Sequence, residues 1–106
     1  MNLIRQNADA IQQLCEKYQV NTLLAFGSVL TDRFNDQSDI DLVVTFDPID
    51  LYDYAENYWN FKDELEALFG RPIDLLERQA ITNSYLATSI NKHSELVYGR
   101  DTQTVA

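Results

Sequence analysis

The chain has 106 residues, of which 45% are hydrophobic, so a single domain with a packed core is expected. No apolar run approaches the roughly 18–20 residues that span a bilayer, which disfavours a membrane protein. Eight Lys and Arg residues face 17 Asp and Glu residues, giving a net charge of −9. The lone Cys15 cannot form an internal disulfide, and the N-terminus lacks the long apolar block of a signal peptide. A cytoplasmic location is therefore predicted.

The acidic excess is confined to one segment. Between Asp32 and Glu66, eleven acidic residues face two basic ones, whereas the rest of the chain has six of each. Such a surface repels the phosphates of DNA, RNA and anionic lipids, so neither a nucleic acid nor a membrane is expected as a direct partner. A phosphate compound handled by this chain would need a positive intermediary, and a divalent cation is the obvious candidate.

The N-terminal half of the chain predicts two strands and two helices. Apolar residues at helical spacing indicate a helix over residues 4–18. The apolar run 22–26 predicts a buried strand, after which Ser28 is expected to cap a short helix over 29–33. The β-branched, apolar run 40–46 predicts a second strand.

The C-terminal half continues the alternation. A long helix is expected over 50–69, closed by Gly70, and a third strand over 72–76. A helix over 83–91 and a short strand over 96–98 follow. We expect one α/β (α+β) domain over residues 1–99, with a small mixed sheet of three to four strands packed with helices. Residues 100–106 are expected to form a frayed tail.

Gly27 and Ser28 stand where the first strand gives way to a helix. Helix N-termini present unpaired N–H groups to phosphates, and Gly lets a phosphate approach the backbone closely. An ordinary strand-to-helix turn capped by Ser explains the same two residues, so on their own they leave both interpretations open.

Three acidic residues accompany the predicted strands. Asp39 and Asp41 are two residues apart, so in a strand they face the same side, roughly 6–7 Å apart. Asp74 interrupts the apolar third strand and reaches the same site if that strand lies beside the second. Three carboxylates suit two Mg²⁺ ions that clamp the oxygens of a phosphoryl or nucleotidyl transfer. Half-exposed strands with polar residues facing water are the alternative.

The spacing of these residues resembles a known signature. Gly27-Ser28, ten intervening residues and Asp39-x-Asp41 reproduce the G-S-x10-D-x-D pattern of the nucleotidyltransferase superfamily related to DNA polymerase β. The short chain and the later acid in RPIDLL resemble its minimal nucleotidyltransferase (MNT) branch. The resemblance covers essentially the whole chain and implies the polymerase-β-like fold, a mixed sheet with helices packed on it.

The resemblance also implies residue roles. Gly27 and Ser28 would hold the nucleotide triphosphate. Asp39 and Asp41 would bind two Mg²⁺ ions, or Mn²⁺, and Asp74 would serve as general base or third metal ligand. Many minimal members follow Gly-Ser with a basic, glycine-containing turn, S-x-A-R-G. Here the stretch reads Val-Leu-Thr-Asp-Arg, so we expect Arg33 to contact the nucleotide from a shifted position.

Three functions remain in competition. The resemblance implies a nucleotidyltransferase that moves AMP from ATP to an acceptor hydroxyl. Minimal members are commonly paired with a helical HEPN-domain toxin and modify one of its tyrosines, which would make this chain an antitoxin. A catalytically vestigial module that neutralises a partner by binding it is the main alternative. A small-molecule modifier resembling aminoglycoside nucleotidyltransferases is a third, although such enzymes usually carry an added acceptor domain.

Other conspicuous residues have simpler interpretations. His93 follows a helix end next to Lys92, where a cation is favourable, and is not expected to be catalytic. The predicted long helix carries more aromatic residues than one buried face needs, so some are expected at a protein interface. These are Tyr52, Tyr54, Tyr58, Trp59 and Phe61.

Overall fold

The computed structural model describes residues 2–31, 34–35 and 37–99. The helices are α1 (Asn2–Gln6), α2 (Ala8–Lys17), α3 (Leu51–Phe69) and α4 (Ser84–Lys92). The strands are β1 (Val20–Phe26), β2 (Ile40–Phe46), β3 (Ile73–Glu77) and β4 (Ser94–Gly99). Short 3₁₀ helices, Gly27–Leu30 and Arg78–Ala80, follow β1 and β3. The predicted alternation of helices and strands is confirmed, whereas the predicted tail, 100–106, lies outside the described residues.

The four strands form one mixed sheet in the order β3-β2-β1-β4. β1 runs antiparallel to both of its neighbours, while β2 and β3 are parallel. A parallel pair needs a long crossover connection, and α3 supplies it. The predicted fold class, a small mixed sheet with helices, is confirmed, and the topology places the beginnings of β2 and β3 side by side.

The boundaries of α3 follow from local chemistry. The Asp50 side chain accepts a hydrogen bond from the Tyr52 N–H at 3.0 Å, which caps the first turn. At the other end Gly70 adopts a left-handed φ of 68°, and its N–H bonds the Glu66 carbonyl at 2.8 Å. Between these caps, Phe61 and Leu65 are four residues apart and wholly buried.

Two predicted helices need correction. The single helix over 4–18 is divided at Asn7, whose side-chain amide donates to the Leu3 carbonyl at 2.9 Å instead of continuing the helix. The second segment ends at Lys17. The short helix after β1 begins at Gly27, ends at Leu30 and has no side-chain cap, so the predicted range 29–33 and the capping role of Ser28 are both wrong.

The core lies on one face of the sheet. Leu42 and Val44 of β2 belong to a buried cluster with α2 and α3 residues such as Cys15 and Phe61. Burial raises the pKa of the Cys15 thiol to about 12, so this cysteine is packed and unreactive at neutral pH. Among the described helices, α3 included, none has the length and apolarity needed to cross a membrane.

The second face of the sheet carries the predicted site. Side chains alternate along a strand, so Asp41 and Val43 face away from the main cluster that holds Leu42. Val43 is nevertheless 2% exposed, and Ile90 of α4 is 1% exposed. Both residues lie outside the main cluster, and α4 packs against β4.

Candidate active site

The register of β2 and β3 brings two of the predicted acids together. The parallel pairing sets Asp41 directly opposite Asp74, and the charge of Asp74 acts on the Asp41 carboxyl. Asp39 precedes β2 by one residue and acts on Asp41 through its charge. Asp39 and Asp74 are exposed and Asp41 is half-buried. The three acids therefore form a cluster at the beginnings of two neighbouring strands.

The electrostatics of this cluster centre on Asp41. Burial, together with the negative charges of Asp74 and Asp39, raises the pKa of the Asp41 carboxyl to about 6. Like charges held this close destabilise each other, and a bound cation would remove the repulsion.

Gly27 is packed against the same carboxylate. Its φ of +77° is one that side chains rarely adopt, and a Cβ built on it would lie 2.4 Å from the Asp41 Oδ2 atom. The preceding residue, Phe26, is the cross-strand partner of Asp41. Glycine is thus required twice, by the backbone angle and by the space that Asp41 occupies. The Gly27-Ser28 turn and the acidic cluster form one continuous surface.

Arg71 holds the turn that delivers Asp39. Its guanidinium donates to the carbonyls of Asn35 and Ser38 at 2.9 and 3.0 Å and stacks over the Phe34 ring at 4.6 Å. The Ile40 N–H then bonds the Pro72 carbonyl at 3.3 Å. These contacts link the entries to β2 and β3, so Arg71 is a positioning residue that the linear sequence did not single out.

The carboxylates of Asp39, Asp41 and Asp74 have the chemistry that a hard cation needs, but they do not form a complete metal-binding site. Paired carboxylates are the oxygen ligands that Mg²⁺ and Mn²⁺ take. The pKa of Asp41 is raised first by burial and then by the charges of Asp74 and Asp39, and a cation would offset those charges. In the described part of the chain, however, no three Asp, Glu, His or Cys side chains are arranged to hold a metal ion. Asp41 and Asp74 are paired across β2 and β3, whereas Asp39 precedes β2.

A groove opens beside the Gly27-Ser28 turn. It has a volume of about 920 Å³ and lies between the segment from Phe26 to Thr31 and the junction of α4 with β4. His93 lines it, although the sequence pattern predicts no functional role for this residue. Its place in the groove depends on how α4 packs, which no local pattern reveals. Arg33, the expected basic contact, lies outside the described residues.

Two neighbouring carboxylates at strand starts thus lie beside a Gly-Ser turn on a mixed sheet. Residues 9–103 match the family model "Polymerase beta, Nucleotidyltransferase". The chain therefore belongs to the polymerase-β-type nucleotidyltransferase family, and it is an enzyme of that class.

Relatives and solved structures agree with this family. Two Methanocaldococcus jannaschii proteins named "putative protein adenylyltransferase" are 33% and 35% identical to the chain, each over 85 residues. Each alignment covers 80% of this chain and 82% of the relative.

The solved structures confirm the fold. One titled as a toxin-antitoxin with AMP-PNP has a TM-score of 0.70 at 19% identity, covering 92% of this chain and 77% of that one. A structure of a "putative minimal nucleotidyltransferase" has a TM-score of 0.71 at 23% identity, covering 86% and 89%. A Shewanella oneidensis complex of tri-AMPylated HEPN toxin with MNT antitoxin has a TM-score of 0.66 at 17% identity, covering 96% and 77%.

Proposed function

We propose that the chain is a Mg²⁺-dependent protein adenylyltransferase. It transfers AMP from ATP to a hydroxyl, that of a tyrosine on a partner HEPN-type toxin, and so acts as an antitoxin. The observation that carries the proposal is the pairing of Asp41 opposite Asp74, with Asp41 directly beside Gly27. The curated relatives named for protein adenylylation and the toxin-antitoxin complexes of the same fold support the choice of acceptor and partner.

The proposed reaction is a single displacement at phosphorus. The acceptor oxygen bonds the α-phosphorus of ATP, the bond from that phosphorus to the bridging oxygen breaks, and pyrophosphate leaves. Asp74 takes the proton of the attacking hydroxyl, while Gly27 and Ser28 hold the phosphates through backbone N–H groups. Asp39, Asp41 and Asp74 would hold two Mg²⁺ or Mn²⁺ ions, whose charge neutralises the phosphates.

Nucleotide binding tests the acidic cluster. Calorimetry with Mg²⁺ and AMP-PNP should detect binding by the wild type, and EDTA should abolish it because Mg²⁺ completes its shell with substrate phosphates. Asp39→Asn combined with Asp41→Asn should also abolish it. The matched control removes the same two charges from α3, with Asp53→Asn plus Asp63→Asn, and should still bind. Equal Mg²⁺-dependent binding by the Asp39/Asp41 double variant would refute the site.

A second candidate function is neutralisation of a partner by binding alone. Two observations favour it: no three described carboxylates form a metal cage, and α3 exposes Tyr52 and Trp59 to 95% and 56%. Large exposed aromatic side chains are typical of protein interfaces. Under this alternative the partner is bound but never modified, so its mass after incubation with ATP separates the two functions.

A further inference from the structure

A small pocket on the second face of the sheet takes no part in the proposed nucleotide chemistry. It is lined by Thr22 and Leu24 of β1, Val43 and Thr45 of β2, and Arg78, which follows β3. Its volume of about 130 Å³ is well below the roughly 300–1,000 Å³ usual for sites that enclose a whole small molecule. The pocket therefore has room for the end of one side chain but not for a nucleotide.

The strands place this pocket on the same face of the sheet as the acidic cluster. Val43 lies two residues after Asp41 on β2, and side chains two residues apart in a strand face the same side. Thr45 is two residues further on, so the pocket extends over roughly 7–13 Å from Asp41 along the strand. A protein segment that brings a hydroxyl to Asp41 and Asp74 can therefore place a neighbouring side chain in the pocket.

Arg78 gives the pocket a positive charge in a chain whose net charge is −9. Its guanidinium donates to the Asn91 amide oxygen at 2.9 Å, which ties it to α4. Within the described part of the chain, no carboxylate forms a salt bridge with Arg78. A guanidinium has five N–H donors in a planar fork, so donors remain for a planar anion such as a carboxylate.

We propose that this pocket binds a carboxylate side chain of the acceptor protein, close to the hydroxyl that receives AMP, and that Arg78 is the ion-pair partner of that carboxylate. The inference rests on the proposed adenylyltransferase function and adds a determinant of acceptor choice to it. Arg78 is a binding residue that does not touch the reacting atoms. Because the acidic cluster repels carboxylates, only an acceptor whose carboxylate lies at the right distance from its hydroxyl is bound well.

Transfer kinetics with the proposed HEPN-type toxin as acceptor test this pocket. Initial rates of AMP addition, followed by mass spectrometry at increasing toxin concentration, give kcat and KM for the wild type, Arg78→Ala and Arg78→Lys. Calorimetry adds the affinities for the toxin and for Mg²⁺–AMP-PNP. Arg78 is exposed, so its replacement leaves the fold intact, which circular dichroism checks. Arg5→Ala removes the same charge from an exposed position on α1 and is the matched control.

We expect Arg78→Ala to raise KM for the toxin and to weaken toxin binding about tenfold, the scale of one hydrogen bond between charged groups, while kcat and AMP-PNP binding stay unchanged. Arg78→Lys keeps the charge and should recover part of the loss, and Arg5→Ala should change nothing. Unchanged KM and toxin affinity in Arg78→Ala overturn the inference, and so does weaker AMP-PNP binding, which would make Arg78 a nucleotide ligand. If the wild type transfers no AMP, the proposed function fails, and the toxin affinities then test the pocket alone.

Discussion

The side chain of Asp41 is restricted by its neighbours more than that of any other acidic residue of the candidate site. It is half-buried, it lies opposite Asp74 on the neighbouring strand, and its Oδ2 atom occupies the space that a side chain on residue 27 would need. A carboxyl with a pKa raised to about 6 stays largely ionised at neutral pH at the cost of repulsion from its neighbours. This repulsion lowers the stability of the fold, whereas the same arrangement of carboxylates suits cation binding.

Gly27→Ala should therefore be more harmful than an ordinary glycine substitution. Both Gly27 and Gly70 have positive φ, but a Cβ at residue 70 would meet nothing within 4 Å. We expect Gly70→Ala to lower the free energy of unfolding by about 1 kcal/mol, the cost of the left-handed backbone alone. Gly27→Ala should lower it by about 2 kcal/mol or more and reduce nucleotide binding, because Asp41 must move.

Urea denaturation of the two variants measures this difference. Adding Asp41→Ala to the Gly27→Ala variant should recover the part of the loss that comes from the clash. The same addition to Gly70→Ala should recover nothing beyond the effect of Asp41→Ala itself. Equal destabilisation by the two glycine substitutions would show that Asp41 does not occupy the space beside residue 27.

Helix α3 and strand β3 are joined by side chains that fix where Asp74 lies. Glu66 accepts hydrogen bonds from the Ile73 N–H and from the Lys62 ammonium, both at 3.0 Å. The Tyr58 hydroxyl donates to the Leu75 carbonyl at 2.5 Å. Because β3 lies at the edge of the sheet, these contacts from α3 secure it on the side where no strand pairs with it.

The Glu66 contacts predict a pH-dependent contribution to stability. Hydrogen bonding from Ile73 and the charge of Lys62 lower the pKa of Glu66 in the folded chain. Its stabilisation is therefore complete above the ordinary glutamate pKa and disappears as the pH falls through the lowered value. At pH 7, Glu66→Gln should cost about 1 kcal/mol, since the group is partly exposed.

Denaturation at several pH values tests this sign. The difference between wild type and Glu66→Gln should shrink steadily as the pH falls below about 4, because the wild-type carboxyl then becomes neutral too. Glu56→Gln, an exposed carboxylate of the same helix, should have little effect at pH 7. A difference between wild type and Glu66→Gln that stays constant down to pH 3 would contradict the proposed role of the charge.

Tyr58→Phe isolates the bond to the edge strand. It removes one hydroxyl and leaves the Leu75 carbonyl without that donor, at an expected cost of about 1 kcal/mol. Asp74 directly precedes Leu75, so the variant should also lower the rate of nucleotidyl transfer. This decrease should be larger than the loss of folded protein at the assay temperature accounts for. Tyr52→Phe, at a 95% exposed position, should change neither quantity. An unchanged rate in Tyr58→Phe would show that Asp74 is positioned by the sheet alone.

The sequence predicts elements well where the pattern is local. The caps of α3 and the strand that begins at Ile40 follow from Asp50, Gly70 and a β-branched run. The sequence pattern does not predict the break at Asn7, because an asparagine side chain interrupts a helix only where it forms a hydrogen bond with the backbone. Here that bond is to the Leu3 carbonyl. The start of the 3₁₀ helix at Gly27 is predicted wrongly because Gly27 packs against Asp41, which lies on another strand.

Of the site, the sequence predicts the acids but not their surroundings. Spacing along one strand and a regular G-S-x10-D-x-D pattern point to Asp39 and Asp41, and the apolar context points to Asp74. The Arg71 clamp and the place of His93 depend on contacts between segments distant in sequence, which a linear pattern does not encode.

At the scale of the whole molecule, charge and exposure agree with a protein partner. The excess of acidic residues covers Asp32 to Glu66, a segment that includes Asp39, Asp41 and most of α3. On α3, Tyr52 and Trp59 are exposed among these carboxylates. A basic protein surface with apolar side chains complements such a face, whereas the phosphates of a nucleic acid are repelled by it.

The most direct test of the account is the mass of the partner after incubation with ATP and Mg²⁺. The enzyme and its proposed HEPN-type partner toxin are mixed, and the toxin is then weighed by mass spectrometry. The account predicts one or more added AMP groups with the wild type and a large loss of modification with Asp74→Asn, which keeps nearly the same volume. A toxin that gains no AMP from the wild type, yet is neutralised equally by wild type and Asp74→Asn, would contradict it.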